Sequence, residues 1–259
     1  KRADLVLLVN GIPLVVIEAK TPVRASQSWL DGALQVHDDY EKNVPELFVP
    51  NVFSVATEGK EFRYGAVGMP VDLWGPWRPE DERGGDSAPA SMATVEKAVY
   101  SMLRPGVVLD LLASFTAYAT HKGKQRIKII ARYQQVDGVN KIVERVIAGQ
   151  PRKGLIWHFQ GSGKSLLMLF AARKLRLNPA LRNPTVLVVV DRIDLGSQIS
   201  GTFYAADMPN LVRTESRKDL QDLLANDVRK VIITSIQKFA EADGILNDRG
   251  NIIVMVDGA

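Results

Sequence analysis

Residues 154–169 read GLIWHFQGSGKSLLML. An apolar run of strand character ends at Phe159, glycines follow at 161 and 163, and Lys164 and Ser165 open an apolar helix. In such a turn the backbone N–H groups, here those of Gln160 to Ser165, point inward and bind phosphate oxygens at a helix N-terminus. Gly161 and Gly163 let the backbone approach a phosphate with no Cβ in the way. Lys164 is placed to reach β- and γ-phosphates and the Ser165 hydroxyl to ligate Mg²⁺. Gln160, Gly161, Ser162, Gly163, Lys164 and Ser165 are thus the expected cradle for Mg·ATP. The strict pattern G-x-x-x-x-G-K-[ST] has glycine where this chain has His158.

The sequence downstream supports a sheet behind that loop. TVLVVVD, KVIIT and NIIVMVD are near-continuous β-branched runs, and RIDLGSQISGTF and DLQDLLAN are helical. Apolar strands alternating with helices indicate a parallel sheet covered on both faces. The last strand ends in Asp257, positioned as a carboxylate that holds Mg²⁺ through water.

Upstream the pattern differs. DLVLLVNGIPLVVIEAK, residues 4–20, reads as two strands joined at Asn10-Gly11, the strongest short-range hairpin signal. Its apolar second strand closes on Glu18-Ala19-Lys20, with Asp4 at the start of the first. A helix is expected from Gln27 to about Tyr40, strands near 47–57 and 61–67, a Pro/Gly-rich charged loop over 75–91, and helices to about 104 and from 107 to about 117. The βα pattern begins near 121, after the basic stretch that opens HKGKQRIKIIARYQQ.

The 259 residues suffice for one large domain or two ordinary ones, and 46% hydrophobic content supports real cores. Cysteine is absent, which excludes disulfide frameworks and thiolate metal sites and suits a cytoplasmic protein. No apolar run reaches membrane-spanning length. A net charge of +4 is compatible with nucleic acid and weak evidence for it. The chain starts almost on a strand and stops at the end of another, as a piece of a larger protein would.

GLIWHFQGSGKS, VLVVVDRIDLGSQI, RKVIITSIQKF and NIIVMVD resemble successive motifs of superfamily 2 helicase-like translocases. With DLVLLVNGIPLVVIEAK, YEKNVPELF and KIIARYQQVDGVNKIVERV, the arrangement most resembles the motor-and-nuclease subunit of type I restriction enzymes, the HsdR family. That resemblance implies a P-D…(D/E)-x-K nuclease-like α/β domain over 1–110, N-terminally incomplete. It implies a first RecA-like parallel-sheet motor domain over 111–259, C-terminally incomplete. Asp4 and Glu18 would then be hard oxygen ligands for Mg²⁺. Lys20, on the same strand face as Glu18 by period-two alternation, would orient or deprotonate the attacking water. Gln35 and Tyr40 would contribute from the following helix, although four residues separate them where the family has three. The competing explanation of Glu18-Ala19-Lys20 is a strand-end salt bridge.

In the same resemblance ARYQQ, residues 131–135, is the adenine-recognising segment, with Gln135 bonding the base edge and Arg132 stacking on it. Asp191-Arg192 with Gln198, and Thr234, Ser235 and Gln237, would touch the DNA backbone without reading sequence. The first position of the phosphate loop is relaxed in such proteins, which accommodates His158. Where the family reads Asp-Glu-Ala-His, this chain reads Asp257-Gly258-Ala259. Either residue 258 differs or the chain joins segments across missing residues; as written it implies ATP binding with impaired hydrolysis. The partners implied are double-stranded DNA and separate methylation and specificity subunits. Two rival readings are a repair or remodelling helicase with a structural N-terminal domain and a non-catalytic nucleotide- or DNA-binding module.

Overall fold

The computed structural model describes residues 2–24, 26–78, 91–121, 125–159, 161–191, 193–239 and 245–257. They form two units, Lys1–Asp137 and Gly138–Ala259.

The first unit is organised by a mixed five-stranded sheet in the order β1-β2-β3-β4-β5. Strands β1 (Leu5–Val9) and β2 (Ile12–Ala19) form the expected antiparallel hairpin. Asn10 and Gly11 both take positive φ, 50° and 80°, as a tight turn between right-twisted strands requires. Only β2 is buried, from Leu14 to Glu18; β1 is the half-exposed edge. Helix α1 (Trp29–Leu34) is capped by Ser28, which exchanges hydrogen bonds with Asp31 in a capping box. A π turn over Gln35–Tyr40 continues it, followed by short helices α2 (Glu41–Asn43) and α3 (Pro45–Phe48).

The strand expected from 47 begins only at Phe53. Pro45 starts α3, the place a helix favours proline, and Pro50 has no N–H to give a ladder. Strand β3 (Phe53–Thr57) runs parallel to β2 and antiparallel to β4 (Phe62–Gly65), which pairs with the two-residue β5 (Gly75–Pro76). The second half of the expected 75–91 loop, residues 79–90, lies outside the described residues. Helices α4 (Met92–Met102) and α5 (Pro105–Ser114) follow, capped by Ser91 and started by Pro105.

From residue 116 the structure departs from the expected βα repeat. Strands β6 (Thr116–His121) and β7 (Gln125–Ile130) pair as an antiparallel ribbon. Ala117, Ile127 and Ile129 are buried, so alternation gives the ribbon one core face. Lys128 Nζ donates to the Asn51 carbonyl at 2.5 Å, and the Tyr64 hydroxyl to the Ala131 carbonyl at 2.7 Å. These bonds tie the ribbon to the first unit and place the division at 137/138, downstream of the 110/111 boundary expected from sequence. Helix α6 (Tyr133–Ala148) crosses that division.

The second unit holds a four-stranded parallel sheet ordered β11-β8-β10-β9. Its elements are α7 (Lys164–Leu177), β8 (Thr185–Val190), α8 (Ile193–Ala205), β9 (Leu211–Arg213), α9 (Arg217–Ala225), β10 (Val231–Ser235) and β11 (Ile252–Asp257). Leu187, Val189 and Ile232 pack with Leu220 and Leu224 of α9. A Cβ built on Gly196 of α8 would meet Val190 Cγ2 at 3.3 Å. Alternation puts Val190 on the face opposite Val189, so helices cover both faces as the sequence predicts.

One expected strand is absent. Residues 154–159 form no ladder, and Leu155, Trp157 and Phe159 are 90%, 87% and 62% exposed. Strand propensity becomes a strand only where a neighbour supplies backbone partners. β11 stands at the sheet edge with Val254 and Val256 largely exposed, and the segment does not pair with it.

Candidate functional sites

In the first unit, Glu18 sits on β2 with only 3% of its surface exposed. Lys20 Nζ donates to Glu18 Oε1 at 2.7 Å and to Gln35 Oε1 at 2.5 Å. Gln35 Nε2 donates to the Tyr40 hydroxyl, which lies 3.1 Å from Glu18 Oε2 and 2.9 Å from the Arg2 carbonyl. Glu18, Lys20, Gln35 and Tyr40 therefore close a ring in which each carboxylate oxygen of Glu18 meets a donor. Burial, with the Glu18 charge beside it, raises the Tyr40 phenol above its ordinary value, so Tyr40 stays a donor.

The π turn explains how Gln35 joins this ring despite the extra residue. In an α-helix of 3.6 residues per turn, side chains five apart point roughly 140° away from each other. Here the Glu41 N–H bonds the Val36 carbonyl, an i→i−5 link. That wider turn brings residues five apart back to one face.

Asp4 is exposed, and its Oδ2 accepts the Ala19 N–H at 2.9 Å. Its charge also acts on Tyr40, which places it near the ring. Gly32 of α1 was not foreseen: a Cβ there would stand 3.5 Å from Glu18 Cγ and 3.4 Å from Ala56 Cβ. A glycine mid-helix, costly by propensity, was its only sequence signal. No group of three or more His, Asp or Glu gathers around a metal position among the described residues. Asp4 and Glu18 are two hard oxygen donors, the kind of set that leaves Mg²⁺ to keep waters or take phosphate oxygens.

In the second unit, Gly161 and Gly163 adopt φ of 81° and 85°, conformations that a Cβ would strain. The Ser162 N–H bonds the Phe159 carbonyl at 3.2 Å, and Lys164 begins α7. Ser162 is 5% exposed and its Oγ is buried without a partner. An open helix N-terminus, two left-handed glycines and an orphaned hydroxyl fit a phosphate group. Gln160, expected in the cradle, lies outside the described residues, as do Arg192 and Gly258.

The parallel register brings Asp257, Val190 and Ser235 into one row, at the carboxyl edge where open α/β sheets bind ligands. Gln198 of α8 and Gln237 are exposed, and Gln237 Nε2 donates to the carbonyl of Asp191, the residue after β8, at 2.8 Å. Thr234 differs from the expected DNA contact. It is 2% exposed, and its hydroxyl accepts from Thr214 Oγ1 at 2.9 Å. Gln135 is likewise buried, its Oε1 accepting the Arg132 N–H at 2.9 Å as a cap on α6. Only Arg132 of that pair is exposed.

Comparison with known proteins places both units. Residues 1–70 match the type I restriction enzyme R protein N terminus family, and residues 134–259 match the SWI2/SNF2 ATPase family. The chain is 37% identical to the type I restriction enzyme HindI endonuclease subunit of Haemophilus influenzae, over 99% of its own length and 26% of that subunit. It is 30% identical to a Methanocaldococcus jannaschii protein provisionally named the type I restriction enzyme MjaIXP endonuclease subunit, over 100% of its length and 27% of that protein. A Staphylococcus aureus relative, the SauCOLORF180P endonuclease subunit, is 26% identical over 93% of the chain and 24% of its own length. The chain spans about a quarter of the length of these relatives. Over its whole length the chain is thus similar to part of such type I restriction enzyme endonuclease subunits, in the region that begins with their R protein N terminus.

Proposed function

We propose that the chain carries the nuclease centre and the nucleotide-binding half of a DNA-translocating motor, as part of the restriction subunit of a type I restriction-modification system in the cytoplasm. The observation that carries this proposal is the closed ring of Glu18, Lys20, Gln35 and Tyr40. A strand-end salt bridge needs only Glu18 and Lys20; a catalytic centre needs its groups held in fixed geometry by further partners.

Asp4 and Glu18 would hold Mg²⁺, whose chemistry is to polarise a phosphoryl oxygen and acidify a water. Lys20, fixed by Gln35, orients the attacking water and offsets developing charge. Tyr40 braces the Glu18 carboxylate from its other oxygen. In the second unit, the 161–165 backbone and Lys164 would hold the ATP phosphates, and Ser165 and Asp257 would hold the Mg²⁺ that offsets their charge. Arg132 stacks on adenine and Gln135 positions it. Gln198 and Gln237 touch the DNA backbone. Gly258, in place of a carboxylate, leaves binding intact and slows hydrolysis. Methylation and specificity subunits supply sequence recognition.

The test is cleavage of unmethylated circular plasmid by the intact protein with those partner subunits and Mg²⁺, with and without ATP. ATP-dependent double-strand cutting that is lost in both Glu18→Ala and Lys164→Ala is expected. ATP turnover with no cutting in the wild type would sink the nuclease assignment.

A further inference from the structure

Glu58 ends in a buried carboxylate oxygen that has no partner. The residue is 8% exposed, and its Oε1 accepts the Glu61 N–H at 3.1 Å, while Oε2 is buried without a hydrogen bond. Such an orphan is costly, and a native one calls for an explanation.

Its position supplies one. Lys20 N–H donates to the Thr57 carbonyl at 2.7 Å, which carries the β2–β3 ladder one step past Ala19↔Thr57. Residue 58 is therefore the cross-strand neighbour of Lys20. Glu18 is paired with Ala56, and both lie under Gly32 of α1. Two residues on, period-two alternation keeps Lys20 and Glu58 on that same face. Strands lie about 4.8 Å apart, a gap the four-carbon lysine stem spans.

The ring itself creates the need. Both Glu18 oxygens hold donors, and the Lys20 ammonium stands 2.7 Å from Oε1. A divalent cation on Glu18 would compete for that oxygen and repel the ammonium. Gln35, the other partner of Lys20, is neutral and cannot replace the lost counter-charge. We propose that Glu58 is a positioning residue for Lys20. On metal binding the Lys20 ammonium leaves Glu18 Oε1, keeps Gln35 Oε1 and takes Glu58 Oε2, which frees Glu18 for the metal. This rests on the nuclease proposal above.

The test is Mn²⁺ binding to the intact nucleotide-free protein, followed by electron paramagnetic resonance, with Glu18→Ala defining which Mn²⁺ belongs to this centre. Glu58→Gln keeps the bond from Glu61 and removes the acceptor. It is expected to weaken that Mn²⁺ at least fivefold, with an unchanged melting temperature. Glu58→Asp should recover affinity to within about twofold. In a Lys20→Met background Glu58→Gln should have no effect, because no ammonium needs a second seat. Plasmid cutting by Glu58→Gln should need at least fivefold more Mg²⁺ and reach a near wild-type rate at saturation. Unchanged Mn²⁺ affinity in Glu58→Gln, or the same loss in the Lys20→Met background, would overturn the proposal alone. Unchanged Mn²⁺ binding and cutting in Glu18→Ala would overturn the nuclease reading and this proposal with it.

Discussion

In the first unit the candidate site is a ring of side chains drawn from β2 and the π turn, each held by the next. In the second, the candidate site is backbone: two left-handed glycines, a helix start and an unpartnered serine within a few residues of chain. The first depends on register between distant segments, so a shift of one residue dismantles it. The second depends on local φ and on the direction of N–H groups, so it survives many changes of side chain and few of backbone.

The comparison breaks most visibly at the charged groups. Lys20→Ala should lower DNA cutting by at least 100-fold and leave ATP affinity unchanged in an equilibrium binding assay. Lys164→Ala should do the reverse at the binding step, weakening ATP at least tenfold while Mn²⁺ binding at the first site persists. If Lys20→Ala weakened ATP binding, or Lys164→Ala weakened Mn²⁺ binding at the first site, the two sites would not be separable in the way their construction suggests.

The π turn sharpens it further. One alanine inserted between Asp38 and Asp39 should rotate Tyr40 away from Gln35 and cut cleavage by about 100-fold, by analogy with a 1 Å misplacement of a catalytic group. Deleting His37 makes Gln35 and Tyr40 an i, i+4 pair on an ordinary helix, again on one face; cleavage should stay within about tenfold of wild type. Equal losses from both changes would show that the turn's length, rather than the shared face, is what matters.

A smaller effect concerns Thr234. Thr234→Val removes the acceptor for Thr214 inside the second unit, and should cost about 1 kcal/mol of stability in denaturant melts. DNA affinity of the folded protein should not change; a loss would restore Thr234 to the DNA-binding surface.

The smallest effects concern acid. Burial raises the Glu41 carboxyl in the first unit, so its favourable contribution is present below the ordinary carboxylate range and lost as pH rises through the raised value. Glu41→Gln should therefore raise Tm at pH 7 by about 2 °C, a gain that shrinks towards pH 4. Hydrogen bonding to Arg229, with Arg249 nearby, lowers Asp227 in the second unit. Its contribution is present above the ordinary range and fades as pH falls through the lowered value. Asp227→Asn should lower Tm slightly at pH 7 and not at strongly acid pH. Calorimetry at both pH values checks the opposite signs.

The same contrast explains what could be read from the sequence. The candidate phosphate loop is contiguous, so 161–165 could be picked out from glycine, lysine and serine alone, and the structure gives it two left-handed glycines and a helix start. The parallel strands β8, β10 and β11 were legible because their burial is written as unbroken β-branched runs. Glu18 and Lys20 were legible as a pair on one strand face. Gln35 and Tyr40 were named through the family resemblance alone, at a spacing one residue too long for a shared helix face, because a π turn leaves no mark in propensity; it exists through the partners its side chains find. The β6–β7 ribbon was missed because its inward face is only alanine and isoleucine at alternate positions, beside a basic stretch that drew attention to charge. The 154–159 segment failed in the opposite direction. Its residues are strong strand formers, and a strand also needs a neighbour. Gln135 and Thr234 kept their residue types and lost their expected exposure, since composition cannot say which side of an element faces solvent.

The open edge of β11 also governs how the chain behaves at concentration. Val254 and Val256 lie on a strand that has one unpaired side among the described residues, and Leu155 and Trp157, far earlier in the sequence, are also exposed in the same unit. An unpaired apolar edge is a template for another copy's backbone. In solution the chain should self-associate more steeply with concentration than its net charge suggests, and Val254→Lys, at an exposed position of that edge strand, should be the simplest way to keep it dispersed.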